Sequence, residues 1–330
     1  MSIREELSFV NVSEDVRQAI TTAGSSTEIF IYIIGLFISF TFLCALCFSS
    51  TLHVNLRVVL GSLTVSLCLT AICKVCISIS KIIHTGWSQQ DIDVLIFLWR
   101  ICMPSVCYHM VLLSFERLLA TVKSTTYEKQ SLIFIICGII ASIWLLSYAS
   151  VNMQFYIKVE KKLRAGIMLL FYIICISMAL LIIYFVHRYN YSNWKKRRGL
   201  MIFSESYQVR ENIRTARFIN RIFILFGTLF SISIVIYIGI GFATNSLLGL
   251  ILSVMFDIVC SLPCSLIPLI VINGEERMYR RYKQIFQKYL GHKISSETVS
   301  DILDLEGNKL NVANQHHTKT YFGQLNNAWS

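Results

Sequence analysis

Charged side chains are scarce in this sequence. Only 15% of the 330 residues are Asp, Glu, Lys or Arg, whereas soluble domains carry about 25%. Hydrophobic residues make up 55% of the chain, and they stand in long runs that are separated by short polar stretches. This pattern excludes an ordinary soluble domain and indicates a protein that spans the lipid bilayer.

Proline and catalytic groups are also scarce. The only prolines are Pro104, Pro263 and Pro268, and no internal repeat is visible. Repeats and broken helices are typical of transporters, so their scarcity disfavours that class.

Of the seven histidines only His109 lies clearly within an apolar run, with no carboxylate motif beside it. We interpret His109 as a buried hydrogen-bonding residue and predict that the protein is not an enzyme.

The polar segments contain no cysteine. All eleven cysteines fall inside apolar runs, away from the oxidising compartment in which disulfides form, so we interpret them as small buried hydrophobes. Two Cys-x-x-Cys pairs lie within these runs, but no histidine stands near them in a zinc-binding arrangement. The sequence therefore predicts no disulfide framework, no metal site and no cofactor.

Seven apolar runs each reach the roughly 20 residues that a spanning helix needs. They cover residues 29–51, 56–80, 94–118, 131–150, 165–186, 218–242 and 247–272. In lipid, only helices and closed barrels satisfy every backbone hydrogen bond, and these runs are too long and uninterrupted for barrel strands. The sequence therefore predicts an all-α membrane protein with a seven-transmembrane helix bundle.

The basic residues predict the orientation of this bundle. If the N-terminus is outside, twenty of the thirty Lys and Arg residues lie in cytoplasmic segments and seven lie in outer segments. Because cytoplasmic loops carry the excess of Lys and Arg, we predict an outer N-terminus and an inner C-terminus. This topology also explains the formal charge of +11, so the charge does not require a nucleic-acid partner.

The segments outside the runs receive separate predictions. Residues 1–28 are polar and form the predicted extracellular tail, with a glycosylation acceptor at Asn11. Asn190 begins a second acceptor triplet, but on the predicted inner side, where it should stay bare. Residues 273–290 alternate apolar and basic side chains at helical spacing, which favours an amphipathic helix in the inner interface. Residues 291–330 are predicted to be a flexible cytoplasmic tail.

Two charged residues lie deep within the runs. Lys74 lies about six residues below the outer end of the second run and Asp257 about ten below that of the seventh, which places them roughly 9 and 15 Å deep. A lysine side chain can span that difference, and these two spans are neighbours in a seven-helix receptor. We therefore predict a Lys74–Asp257 ion pair, which is either purely structural or a contact for a ligand or an ion.

Several residues of the third run are candidates for a ligand pocket. Arg100 is shallow enough for its charge to reach the outer interface, or it faces a ligand. The other candidates either line a pocket or serve only in packing; they are Trp99, Met103 and Tyr108.

Paired charges mark the predicted inner end of the third run. Glu116 and Arg117 stand there, and Tyr127 and Glu128 follow across the second inner loop. Taken alone, the first pair fits either a solvated helix end or the end at which a signalling receptor contacts its partner. Polar motifs also precede the sixth run; they comprise Tyr207-Gln208, Glu211-Asn212 and Arg214.

These motifs, together with Ser265-Leu266-Ile267-Pro268 in the seventh run, resemble those of the nematode serpentine chemoreceptors, in the superfamily of classes A, AB, B and E. Class AB or E is nearest. One departure is Ser206, where the family pattern before Tyr-Gln usually has Arg. The resemblance implies a G-protein-coupled chemosensory receptor in the plasma membrane, and in the cilium of a sensory neuron.

The resemblance also implies roles for the residues. A small-molecule or peptide ligand would bind in the outer half of the bundle. Glu116 would hold Arg117 in the resting state, and Arg117 would meet a heterotrimeric G protein in the active state. The residues that would flank the same cytoplasmic cleft are Tyr127, Glu128, Tyr207, Gln208, Glu211, Asn212 and Arg214.

Two other classes of membrane protein stay open at this point. A ligand-gated channel of inverted seven-span topology needs its N-terminus inside, against the distribution of basic residues. A small transporter needs the repeats and broken helices that are scarce here.

Overall fold

The computed structural model describes residues 13–48, 52–83, 87–123, 132–156, 161–197, 203–243, 246–274, 278–280 and 282–283. Within these ranges the chain forms helices and no strand. The helices of twelve residues or more are α1 (Glu14–Phe48), α2 (Val54–Ile83), α3 (Gln89–Val122), α4 (Ile133–Tyr156), α5 (Lys161–Arg197), α6 (Phe203–Phe242), α7 (Ser246–Ser261) and α8 (Pro263–Gly274).

Seven helical stretches in the described part of the chain are long and apolar enough to cross a membrane, one for each predicted run. Helices α7 and α8 together form the seventh stretch, Leu247–Gly274. The prediction of an all-α seven-transmembrane bundle is therefore confirmed. The outer position of the N-terminus stays a prediction.

Several helices continue well beyond the apolar runs. Helix α1 begins at Glu14, within the predicted tail, and α6 begins at Phe203 rather than near residue 218. Polar residues form these extra turns, so hydropathy alone does not reveal them.

The chain divides into a unit of residues 1–286 and a unit of residues 287–330. The second unit, and most of the predicted interfacial helix 273–290, lie outside the described residues.

A capping box begins helix α3. Ser88 Oγ accepts the Asp91 backbone N–H at 3.2 Å, and the Asp91 carboxylate accepts the Ser88 backbone N–H at 3.0 Å. These two bonds satisfy backbone donors that have no partner in the first helical turn. The helix therefore starts five residues before the apolar run that begins at Val94.

Helix α3 is the central helix of the bundle. It contacts α2, α4, α5 and α6, while α1 contacts α2, α7 and α8. The innermost side chains come chiefly from α2, α3 and α6; Leu60, Leu63, Met110, Leu113 and Ile219 are fully buried examples. Helix α4 has the smallest buried share of the seven stretches, so it lies at the periphery.

The seventh span is broken at Leu262, and its second half contains Pro268. Proline has no backbone N–H, so the carbonyl of Cys264, four residues earlier, receives no helical hydrogen bond. Ser39 of α1 supplies the missing donor, with its Oγ 2.8 Å from the Cys264 oxygen. Gly35 permits this approach, because a Cβ there would lie only 3.0 Å from Cys264 Cβ.

We expect Ser39→Ala to lower the free energy of unfolding by about 1–3 kcal/mol, because it leaves a buried carbonyl without a donor. Thermal unfolding of the purified protein in detergent measures this effect. Ser142→Ala is the matched control, since the Ser142 hydroxyl is exposed and donates to the Gly138 carbonyl of its own helix. Equal stability losses in the two variants would contradict the role of Ser39.

Candidate functional site

Two buried charged side chains and one half-buried one meet in the predicted outer half of the bundle. Lys74 Nζ lies 3.0 Å from Asp257 Oδ1 and 3.2 Å from Glu28 Oε1. The Asp257 contact is a hydrogen bond, whereas the Glu28 contact is an ion pair without hydrogen-bond alignment. The side chains are 6% exposed for Lys74, 3% for Glu28 and 20% for Asp257. We call these three residues the ionic cluster.

Neighbouring side chains complete the surroundings of the ionic cluster. Ser78 Oγ donates to Glu28 Oε2 at 2.8 Å, and Lys74 Nζ lies 4.4 Å from the centre of the Trp99 ring. The ammonium therefore has two carboxylates and one aromatic face as partners, which offset its loss of water. The ionic cluster comes from α1, α2 and α7, and Trp99 adds a contact from α3, so four helices meet here.

The structure brings together Lys74 and Asp257, as their calculated depths indicated, but it adds Glu28. Sequence reasoning missed Glu28 because it lies just before the apolar run that begins at Ile29. Helical spacing carried the missing signal: Ser25, Glu28 and Tyr32 recur every three or four residues, and all three are buried on one face of α1. Part of the predicted tail is thus the first section of a packed helix.

The other candidates for the outer pocket lie at different places along α3. The Trp99 ring contacts Lys74 of the ionic cluster. Arg100 and Met103, one and four residues after Trp99, are half-buried. Tyr108 lies about 14 Å further along the helix. Its hydroxyl is 2.9 Å from Ser150 Oγ of α4, and its ring contacts aromatic rings of α5, so Tyr108 joins α3 to α4 and α5.

His109 is fully buried and hydrogen-bonded on both ring nitrogens. Nδ1 lies 2.7 Å from the Ser105 carbonyl, and Nε2 lies 2.7 Å from Ser62 Oγ of α2. Because a carbonyl only accepts, Nδ1 carries the proton, and in the neutral ring Nε2 accepts from Ser62. His109 is thus the buried hydrogen-bonding residue that the sequence favoured.

Glu116 and Arg117 form a bidentate ion pair at the other end of α3. The Arg117 Nε and Nη2 groups donate to the two carboxylate oxygens of Glu116. Each residue is only 4% exposed, so the alternative of a solvated helix end does not hold. A buried guanidinium needs such a counter-charge, because desolvation of an unpaired ion is costly.

A second polar contact lies one turn beyond this pair. Asn190 of α5 donates from Nδ2 to Thr121 Oγ1 of α3 at 2.9 Å, and Asn190 is 8% exposed. This contact joins the two helices at the end that carries Glu116 and Arg117. A glycan on Asn190 is incompatible with the folded bundle, whichever side of the membrane that end faces.

The remaining predicted residues of this end are only partly described. Arg214 is half-buried on α6. The backbone from residue 207 to residue 212 belongs to α6, but the side chains of Tyr207, Gln208, Glu211 and Asn212 lie outside the described part of the structure. Tyr127, Glu128 and the acceptor Asn11 also lie outside the described residues, so their roles stay predictions.

We expect Lys74→Met to reduce surface expression strongly, because removal of one partner of a buried ion pair costs about 3–5 kcal/mol. Adding Asp257→Asn should restore only part of the surface level, since Glu28 is still buried and charged. Adding Glu28→Gln as well should restore more. Antibody labelling of an N-terminal tag on intact and permeabilised cells measures surface and total protein.

The control for this series is Lys81→Met, which removes an exposed lysine from the same helix. Its surface level should match that of the wild type. If Lys74→Met, the double variant and the triple variant all reach the wild-type level, the cluster does not hold the helices together.

Comparison with known proteins places this architecture in a family. Among curated proteins, none matches the chain. The family model described as Sre G protein-coupled chemoreceptor matches residues 6–330, which is almost the whole sequence and includes all seven spans. The chain therefore belongs to the Sre G protein-coupled chemoreceptor family.

Proposed function

We propose that this chain is a chemosensory receptor that binds its ligand at the ionic cluster and activates a heterotrimeric G protein at the Glu116–Arg117 end. The ligand end faces outward and the G-protein end faces the cytoplasm, in the orientation that the loop charges favour. The protein acts at the plasma membrane, and its relatives' role in chemoreception favours the cilium of a sensory neuron.

The observation that carries this proposal is the burial of two ion-pair sites at opposite ends of one central helix. Trp99 contacts the ionic cluster and Arg117 lies eighteen residues later on α3, which is about 27 Å along the axis. Buried ion pairs contribute little net stability compared with apolar packing. One such site in contact with α3 and a second on the same helix favour a role in switching between conformations.

The Glu116–Arg117 pair supports coupling at the cytoplasmic end. In the observed conformation the Arg117 guanidinium donates two hydrogen bonds to the Glu116 carboxylate. A partner that binds Arg117 only after it leaves Glu116 would stabilise a second conformation of the bundle. A ligand that prefers this second conformation then favours the partner as well, because the coupling between two sites is reciprocal.

We expect Glu116→Gln to raise ligand-independent G-protein activation, because the neutral amide holds Arg117 less strongly. Arg117→Ala should abolish activation at an unchanged surface level. Nucleotide exchange on a panel covering each class of Gα subunit, normalised to receptor at the surface, measures both effects.

Arg188→Ala is the control for this pair of variants, since it removes an exposed arginine near the same end of the bundle. It should leave nucleotide exchange unchanged. Wild-type exchange rates in both Glu116→Gln and Arg117→Ala, across the whole panel, would remove the basis for coupling through this pair.

Orientation distinguishes a receptor from an inverted channel, and we expect the N-terminus to be outside. A glycosidase-sensitive gel shift should therefore be present in the wild type and lost in Asn11→Gln. The reporter for the opposite side is an acceptor triplet inserted at residues 199–201, because the native Asn190 is buried. That inserted triplet should stay bare. A shift that depends on it would place α5 and α6 the other way round and favour the channel.

A further inference from the structure

The indole N–H of Trp99 is a buried donor that has no hydrogen-bond partner among the described residues. The ring itself is engaged, because Lys74 Nζ lies 4.4 Å from its centre. Buried polar groups in native structures nearly always have a partner, and leaving one unpaired is costly. Trp99 Nε1 therefore marks a place where an acceptor atom of a bound molecule would gain a buried hydrogen bond.

A cavity lies along the same helix, one turn nearer its predicted outer end. The cavity has a volume of about 320 Å³, and its described walls are Trp87, Asp91, Val94 and Leu95. Leu95 comes four residues before Trp99, so the two side chains lie on one face of α3, about 6 Å apart along the axis. A cavity of this size suits a small molecule. A molecule that extends one turn inward from it meets Trp99.

The described walls of this cavity are largely apolar. Trp87, Val94 and Leu95 contribute apolar side chains, and Asp91 is the one charged residue among them. The Asp91 carboxylate already accepts the Ser88 backbone N–H at 3.0 Å and the Ser88 hydroxyl at 2.7 Å. The cavity therefore favours an apolar skeleton, and the unpaired polar group lies one turn further in, at Trp99.

We propose that the cavity and Trp99 together form a binding site for a small uncharged carbonyl compound, such as a ketone or an ester. Its apolar skeleton fills the cavity, and its oxygen accepts a hydrogen bond from Trp99 Nε1 beside the ionic cluster. This inference rests on the proposed function for ligand binding at the cluster, and it names the chemical class of the ligand.

The groups around Trp99 favour an uncharged acceptor over other ligand classes. A protonated amine carries donors and no acceptor, so it would leave the indole N–H unpaired. An anion would lie near the Glu28 and Asp257 carboxylates, and Lys74 is already paired with both of them. An alcohol accepts as well, but its own hydroxyl hydrogen needs a further acceptor. A carbonyl oxygen only accepts, which matches an unpaired donor.

Tyr32 Oη is a second buried donor without a hydrogen-bond partner among the described residues. Its side chain is 0% exposed, whereas Trp99 is half-buried and lies one turn from the cavity. Trp99 is therefore the donor that an entering molecule meets, and the proposed site is assigned to Trp99 alone.

Thermal unfolding of the purified full-length receptor in phosphatidylcholine nanodiscs tests the site without any G protein. The probes are cyclohexanone and acetophenone. Each is paired with the alkene in which a methylene group replaces the carbonyl oxygen, methylenecyclohexane and α-methylstyrene. At millimolar concentration we expect at least one ketone to raise the unfolding midpoint saturably, by about 3 °C or more. The matched alkene should give no saturable rise, because it has a similar shape but no acceptor.

Variants assign the effect to the indole N–H. Trp99→Phe keeps an aromatic ring beside Lys74 but removes the N–H, so it should abolish the response to the ketone. Benzothienylalanine at position 99, introduced by nonsense suppression, replaces the N–H by sulfur in a ring of nearly the same shape and should also abolish it. Trp144→Phe is the matched control, since Trp144 is half-buried on the peripheral helix α4, and it should respond like the wild type.

Four results would overturn the carbonyl site: no rise with either ketone, an equal rise with the alkenes, an undiminished rise in Trp99→Phe, or an undiminished rise in the benzothienylalanine protein. The first is the result expected if a water molecule alone satisfies Trp99. Because unfolding reports binding alone, a ketone response in a receptor that never activates a G protein would overturn the coupling proposal and leave this site standing. Nucleotide exchange that rises in Glu116→Gln, in a receptor that no ketone stabilises, would do the reverse.

Discussion

The burial of one ammonium group governs how the helices of this protein associate. Lys74 on α2 is held by Glu28 on α1, by Asp257 on α7 and by the ring of Trp99 on α3. Between apolar helices in lipid the hydrophobic effect does not select neighbours, because lipid tails are as apolar as leucine. Polar contacts and close packing determine which helices become neighbours. Through its Nζ atom, Lys74 of α2 contacts residues of α1, α3 and α7.

Helix α3 carries polar contacts of the same kind along its length. His109 binds Ser62 of α2, Tyr108 binds Ser150 of α4, and Thr121 binds Asn190 of α5. These bonds lie on different faces of α3, so together they determine its rotation within the bundle. The two ion-pair sites are therefore connected by a helix whose orientation is defined at several levels.

The sequence predicted all seven spans, because a helix that crosses the bilayer must have about 20 mostly apolar residues. It also reached Lys74 and Asp257, since two isolated charges at similar depth leave few choices of partner. It did not reach Glu28, because a boundary drawn from hydropathy ignores helical phase. The polar turns that begin at Glu14 were missed for the same reason. Pro268 reveals in the sequence that a carbonyl loses its donor, but only tertiary structure shows that Ser39 replaces it.

The bond between Ser39 and the Cys264 carbonyl has a consequence for motion. A proline within a membrane helix usually makes a hinge, since the carbonyl before it is no longer tied to its own helix. Here that carbonyl is tied to α1, and Gly35 lets the two backbones approach closely at the same point. We therefore expect helix α1 and the second half of the seventh span to move together. The first helix, which also carries Glu28, would then take part in a conformational change of the seventh.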